Sequence, residues 1–319
     1  MDIRPSILDA IGETPLVRLA RLHPPGNLVA KIEYVNPGGS IKDRIGLAMI
    51  EAAERDGSLQ PGGTIVEPTS GNTGVGLAMA AAIKGYRLVC VMPDKMSQEK
   101  INGLRAYGAE VHVAPTDVEP DDPRSYYSVA ARLVDEIPGA FSPNQYANPA
   151  NPEAHYRSTG PEIWDQTDGE IDVLVLGVGT GGTVTGTAQF LKEQKPAIQV
   201  VGVDPVGSIY TARSDHEVHT YLTEGVGEDF WPETFDPTLV DRFLQVSDAA
   251  AYGMARRLAT TEGVLVGSSG GLAVVGAIEV AAEAPDDLVV VILPDSGRSY
   301  VSKVFNDEWM GEQGFVEES

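Results

Sequence analysis

The chain of 319 residues sets 23 Lys+Arg against 46 Asp+Glu, a net charge of −23, which argues against nucleic acid or an anionic membrane as a partner and suits a heavily solvated surface. Its single cysteine, Cys90, excludes an internal disulfide. With no secretion signal and no apolar run near the roughly 18 residues of a membrane span, the expectation is a soluble, cytoplasmic protein, long enough for two domains and an unstapled core.

Short β-rich runs alternate with longer helical ones, the pattern of α/β layers on mostly parallel strands. A first strand is expected at 28–34. The turn Asn36-Pro37-Gly38-Gly39 then leads into a helical period over 40–55, with Ile45, Ala48, Met49, Ala52 and Ala53 on one face. Ser40 with Asp43 reads as a capping pair, which puts Lys42 in the first turn. The partial positive charge of a helix start disfavours an ammonium there. The amine of Lys42 is thereby held toward its neutral, nucleophilic form, as reaction with an aldehyde requires.

A strand at 64–67 runs into Thr69-Ser70-Gly71-Asn72-Thr73-Gly74 and a helix over 75–84. Such a turn of small residues presents backbone N–H groups at a positive helix end and binds an anion. The hydroxyls of Thr69, Ser70 and Thr73 add donors suited to a substrate carboxylate, and Asn72 is placed to reach a ring oxygen. The competing role is a plain helix cap. Strands follow at 87–92 and 110–114, with Cys90 as a packed thiol in the first. The Pro- and Asp-rich stretch 116–124 is a loop, Tyr126 and Tyr127 belong to helix packing, and 144–152, with two Asn-Pro pairs, reads as a crossover between halves.

After a strand at 173–177 comes Gly177-Val178-Gly179-Thr180-Gly181-Gly182-Thr183. Gly177, Gly179 and Gly182 satisfy the dinucleotide fingerprint, and Asp204, closing a strand at 199–204, stands near the acidic position that goes with it. A nicotinamide-dependent oxidoreductase therefore competes, although it leaves Lys42 and the Asn72 loop without work, and the same glycines suit a single phosphate equally well. The stretch 224–237, with Phe230 and Trp231, lacks periodicity and reads as a mobile loop over a site. A third small-residue turn, Gly267-Ser268-Ser269-Gly270-Gly271, joins a strand at 264–266 to a helix, and a last strand is expected at 288–293. A hydroxyl in that turn, facing a pyridine nitrogen, would not hold the nitrogen protonated. The five histidines show no metal-ligand spacing, so no zinc site is expected. A lysine ready for an aldehyde, with one loop for a carboxylate and one for a phosphate, describes a pyridoxal phosphate enzyme acting on an amino acid.

Asn-Pro-Gly-Gly-Ser-Ile-Lys-Asp-Arg at 36–44, Glu-Pro-Thr-Ser-Gly-Asn-Thr-Gly at 67–74, Gly-Thr-Gly-Gly-Thr at 179–183 and the serine turn at 267–271 resemble the fold-type II pyridoxal phosphate enzymes of the cysteine synthase and cystathionine β-synthase family, over nearly the whole chain. The resemblance implies an α/β fold of the tryptophan synthase β type, with two parallel-rich, three-layer domains. Residues 36–147 would form a smaller mobile domain with the carboxylate loop, closing on a larger one, 1–35 with 148–319, that binds the phosphate. It implies Lys42 as the residue joined to pyridoxal 5'-phosphate and as the proton-transfer base and acid. Asn72 would meet the cofactor's ring oxygen, Gly179, Thr180, Gly181, Gly182 and Thr183 its phosphate, and Ser268 its pyridine nitrogen. Thr69, Ser70, Thr73 and Gln145 would bind the amino-acid carboxylate, Gly225 would also line the substrate, and Tyr146 would assist at the leaving hydroxyl.

The activity so implied is β-replacement on serine, or an activated serine, by a thiol, in a homodimer. Asp94-Lys95-Met96-Ser97 and the stretches 151–156, 203–208, 224–230 and 305–310 lean toward the cystathionine β-synthase branch, with homocysteine as the thiol. O-acetylserine sulfhydrylase, using sulfide, is the close alternative, and a catalytically silent ligand-binding module a remoter one. Glu228 stands where several relatives have tyrosine. Neither a heme-binding segment nor paired regulatory modules are expected on this core.

Overall fold

The computed structural model describes residues 3–315 except 23–25, 70, 95, 97 and 120–121. In chain order its elements are β1 (Leu16–Arg18), β2 (Asn27–Ile32), α1 (Lys42–Asp56), β3 (Thr64–Pro68), α2 (Asn72–Lys84), β4 (Arg87–Pro93), α3 (Gln98–Ala106), β5 (Glu110–Ala114), α4 (Tyr126–Glu136), α5 (Ala150–Arg157) and α6 (Thr159–Gln166). There follow β6 (Val173–Gly177), α7 (Gly182–Gln194), β7 (Gln199–Pro205), β8 (Arg242–Val246), α8 (Asp248–Thr261), α9 (Ser268–Glu283), β9 (Leu288–Leu293) and α10 (Asp307–Glu312). They fold into two compact units, one of residues up to Ile11 with Asn36–Asn151, the other of Gly12–Val35 with the residues from Pro152 onward. No helix among the described residues is long and apolar enough to cross a membrane.

The first unit is built on the parallel sheet β3-β4-β5, to which Phe141 adds one bridge at Ile65. Side chains alternate across a strand, and in β3 and β4 both sets are buried. Val66, Val89 and Val91 pack beneath Ala130, Val129 and Leu133 of α4, while Ile65, Leu88, Cys90 and Met92 are equally enclosed on the other side. Cover on both faces explains why the central strand β4 reads as a continuous apolar run, whereas the edge strand β5 is exposed at Glu110 and Val113. The opening residues join this unit rather than the larger one expected for 1–35. A short 3₁₀ turn, Ile7–Ala10, capped reciprocally by Ser6 and Asp9, packs on α2.

The second unit carries a six-stranded sheet in the order β1-β2-β9-β6-β7-β8, parallel except for the antiparallel edge β1. Its core joins Val173, Val175, Val201, Val203, Val289 and Val291 to Leu272, Val274, Ala277 and Ala281 of α9. At one edge Lys31, fully enclosed, donates to Glu162 and Gln166 at 2.8 Å and to the Thr14 carbonyl at 2.6 Å.

Two edge strands, β1 and β8, were not expected from the sequence. Conversely 264–266 is no strand: Val266 makes a single antiparallel bridge with Ser296. The chain there is already turning into α9, leaving no length for a ladder.

Candidate active site

Within the first unit, Lys42 is the first residue of α1 and half-buried, in the first turn as the sequence suggested. Ile41 already has a helical conformation (φ −58°, ψ −21°), so Ser40 stands just before the first turn. Its hydroxyl accepts the Lys42 N–H at 3.2 Å, as a helix cap does, and the Asp43 carboxylate reaches back over the turn to the Gly38 N–H at 2.6 Å.

Helix α2 lies directly against this start. A Cβ on Gly76 would come within 2.7 Å of the Lys42 carbonyl oxygen, and one on Gly46 within 2.5 Å of the Gly76 carbonyl carbon. Only glycine permits this approach, and it sets Lys42 beside the turn that opens α2. In that turn the buried Thr69 oxygen accepts N–H bonds from Gly71 and Gly74, both at 3.1 Å, which leaves its hydroxyl proton to donate. Asn72, half-buried, is the first residue of α2. Thr73 donates to the Gln145 side-chain oxygen at 2.7 Å, so the Gln145 amide group remains as a donor. Tyr146 follows, half-buried in the same turn. Ser70 lies outside the described residues. Lys42, Thr69, Asn72, Thr73, Gln145 and Tyr146 thus belong to one unit.

Glu67, missed by the sequence analysis, supports this constellation. Buried at the end of β3, its carboxyl accepts the Asn144 N–H at 3.1 Å, and Asn144 holds a left-handed backbone (φ 47°) just before Gln145. Burial pushes its pKa up to about 8, against the opposing effect of the Asn144 and Gln145 N–H groups. A lone acid in an apolar strand was the available signal. Cys90, paired with Glu67 across β3 and β4, is buried, and burial first, then the Glu67 charge, push its pKa up to about 12, consistent with a packed thiol.

Within the second unit, Gly179, Thr180 and Gly181 form the turn between β6 and α7, with Gly181 left-handed (φ 81°) as the residue before the helix and Gly182 its first. Thr183 meets the buried His155 at 3.2 Å, and His155 meets Thr159 at 2.9 Å. Three carbonyls of this turn are engaged: that of Val178 by the Gly227 N–H at 2.7 Å, that of Gly179 by the Tyr210 hydroxyl at 2.5 Å, and that of Thr180 by the Thr234 hydroxyl at 2.6 Å. Tyr210 and Thr234 also escaped the sequence analysis, lying 31 and 54 residues from their partners.

Ser268 is the first residue of α9, buried, and its oxygen accepts the Glu224 N–H at 3.4 Å. The chain leading to Gly225 (φ 82°) is tied down further. Asp248 accepts from the N–H groups of Leu222 at 2.7 Å and Thr223 at 2.9 Å, and Lys303 pairs with Glu224 at 2.7 Å. These bonds hold the chain at 222–224, where the loop expected over 224–237 begins. Asp204, the acid of the dinucleotide reading, is fully buried with Thr211 donating to it at 2.8 Å, and burial pushes its pKa up to about 6. A carboxyl so enclosed is not presented to a ribose.

The family model described as pyridoxal-phosphate dependent enzyme matches residues 7–295. Cystathionine beta-synthase of Oryctolagus cuniculus is 51% identical over 324 residues, covering 99% of this chain and 59% of that protein. The chain therefore spans about three-fifths of that relative's length. Two solved structures superpose with a TM-score of 0.89 at 38% identity. One is a hydrogen sulfide-producing enzyme of Fusobacterium nucleatum, with 94% of this chain and 99% of that chain covered. The other is O-ureido-L-serine synthase, with 99% and 98% covered.

Proposed function

We propose that this chain, which belongs to the family of pyridoxal-phosphate dependent enzymes and has their fold-type II architecture, catalyses β-replacement on serine by a thiol, joining L-serine and L-homocysteine to give L-cystathionine and water. The observation that carries the reading is Lys42 at the start of α1, packed through Gly76 against the helix that the donor-rich turn 69–74 opens. The 51% identity to a cystathionine beta-synthase supports the choice of thiol. A dinucleotide oxidoreductase is set aside by the family match.

The residues fit the cofactor. Gly179 and Gly181 are packed so closely, a Cβ on the first lying 2.7 Å from the Gly225 carbonyl oxygen and on the second 2.3 Å from Phe235, that the turn is bare backbone at both positions and its N–H groups are not screened by side chains there. The turn opens a helix whose positive end suits a phosphate. Ser268 offers a buried, neutral hydroxyl at the start of another helix. Bound there, pyridoxal phosphate would supply an electron sink for charge at the substrate's α-carbon.

The chain's own residues supply the rest. Gly179, Thr180, Gly181, Gly182 and Thr183 would hold the phosphate, Asn72 the ring oxygen and Ser268 the pyridine nitrogen. A neutral hydroxyl at that nitrogen keeps the sink moderate, which favours loss of the β-substituent over a long-lived charge on the α-carbon. Thr69, Ser70, Thr73 and Gln145 would hold the substrate carboxylate by hydroxyl, amide and helix-start N–H groups. Lys42 would anchor the cofactor, take the α-proton and return one to that carbon once the thiol sulfur has bonded to the β-carbon. Tyr146 would donate a proton to the departing hydroxyl, and Gly225 would leave room for the incoming thiol. The protein would act as a cytoplasmic homodimer on small molecules alone.

The motifs at 36–44 and 67–74, which resemble the whole family rather than one member, support a second reading, in which sulfide replaces the acetate of O-acetylserine. Purified protein is given serine with homocysteine and, separately, O-acetylserine with sulfide, and products are identified by mass spectrometry. Cystathionine as the faster product supports the first reading. Cysteine alone would shift the assignment to the second, and no β-replacement product from either pair would remove both.

A further inference from the structure

A planar trans peptide sets the C=O of one residue and the N–H of the next in opposite directions. Whatever captures a carbonyl therefore aims the following N–H. Along the β6–α7 turn three successive carbonyls, of Val178, Gly179 and Thr180, are captured by the Gly227 N–H, the Tyr210 hydroxyl and the Thr234 hydroxyl. The N–H groups of Gly179, Thr180 and Gly181 consequently point away from those partners. Successive N–H groups turned to one side make an anion-binding concavity, whereas carbonyls on that side would repel an anion.

We propose that Tyr210 and Thr234 are positioning residues for the cofactor's phosphate: by holding the Gly179 and Thr180 carbonyls outward, they aim the Thr180 and Gly181 N–H groups at a single anion. The inference rests on the reading of this turn as the phosphate site, and assigns the work to two residues of the 210–235 segment that lie outside it. Both hydroxyls are set in fixed surroundings. The Tyr210 ring lies 5.3 Å from Trp231, 5.0 Å from Phe235 and 6.0 Å from Phe243 between centroids, so its hydroxyl keeps its place. Thr234 is buried, and its neighbour Phe235 fills the space that a side chain at Gly181 would need. Burial raises the Tyr210 pKa, with the Glu228 and Asp204 charges adding to it, so the phenol stays protonated and able to donate.

The test uses the full chain freed of cofactor by dialysis, titrated with pyridoxal 5'-phosphate and, in parallel, with pyridoxal, which lacks the phosphate. In Tyr210→Phe, which keeps the ring packing, and in Thr234→Val, which keeps the volume, the Kd for pyridoxal phosphate should rise about three- to tenfold, the effect of one lost hydrogen bond. The Kd for pyridoxal should stay put, and the ³¹P resonance of the bound cofactor should shift. Should one variant fail to fold, as judged by its thermal melt, the other carries the same comparison. An unchanged Kd for pyridoxal phosphate, or equal weakening toward both ligands, would overturn the proposal while leaving the proposed function intact. Failure of the unsubstituted protein to prefer pyridoxal phosphate over pyridoxal would instead remove the phosphate site itself, and the inference with it.

Discussion

Gly46 of α1 and Gly76 of α2 bring the two helices together backbone to backbone: a methyl group on Gly46 would come within 2.5 Å of the Gly76 carbonyl carbon, and one on Gly76 within 2.7 Å of the Lys42 carbonyl oxygen. Since the Gly76 contact also touches the Lys42 carbonyl, this crossing sets the spacing between Lys42 and the turn that begins α2. Gly76→Ala must push the helices apart. Overpacking of this kind costs about 1–3 kcal/mol, read as a lower urea midpoint, and turnover should fall further than stability does. Gly103→Ala in α3, where an added methyl would meet nothing within 4 Å, is the control. It should be neutral or slightly stabilising, and equal losses in the two variants would contradict the role given to the crossing.

The Thr73 hydroxyl and the Gln145 side chain are bonded at 2.7 Å although 72 residues apart. Thr73→Val leaves the buried Gln145 oxygen without its donor, at a cost of about 1–3 kcal/mol, and frees the amide to turn away from the substrate carboxylate. The KM for serine should rise about tenfold or more, with the KM for the thiol little changed. Parallel rises in both constants would place Thr73 outside the serine subsite.

Glu67 binds its proton more tightly in the folded chain than in the unfolded one, because burial pushes its pKa up to about 8 from an ordinary 4.5. The stability this contributes is fully present below pH 4.5 and is lost as pH rises through 8. Glu67→Gln cannot ionise, and its amide oxygen can still accept the Asn144 N–H. Between pH 5.5 and 8.5 the stability of the variant relative to the parent should therefore improve by more than about 1 kcal/mol, read from urea midpoints. Parallel pH profiles would mean that Glu67 is already ionised in the folded protein.

Lys31 is wholly enclosed and donates to Glu162, Gln166 and the Thr14 carbonyl. Removing one partner of a buried ion pair costs about 3–5 kcal/mol, because the other charge is left uncompensated. Glu162 retains some exposure, 18% of its side chain, so Lys31→Ala should lie at the lower end of that range. Lys31→Met with Glu162→Gln should recover much of the loss. A single variant as stable as the parent would show the network to be dispensable.

The α1 period was legible because one face is buried for its whole length: Ile45, Met49 and Ala53 are all enclosed. Strands β4, β6 and β9 were legible for a similar reason, each carrying a continuous apolar run. Strand β8, Arg-Phe-Leu-Gln-Val, was not, since an edge strand half open to solvent shows neither an unbroken run nor a clean alternation. Strand β1 has three residues, too few for any period. The glycine turns and Lys42 declare themselves through local composition. Their supports do not, because the carboxyl of Glu67 and the hydroxyls of Tyr210 and Thr234 act on backbone groups 77, 31 and 54 residues away, where only the fold brings them together.

The measurement that bears most directly on the whole account is borohydride reduction of the protein as purified, followed by peptide mapping. The account predicts a single pyridoxal phosphate adduct, on the peptide containing Lys42, with Lys42→Ala folded, unlabelled and inactive in β-replacement. An adduct on another lysine, or substantial turnover in Lys42→Ala, would contradict it.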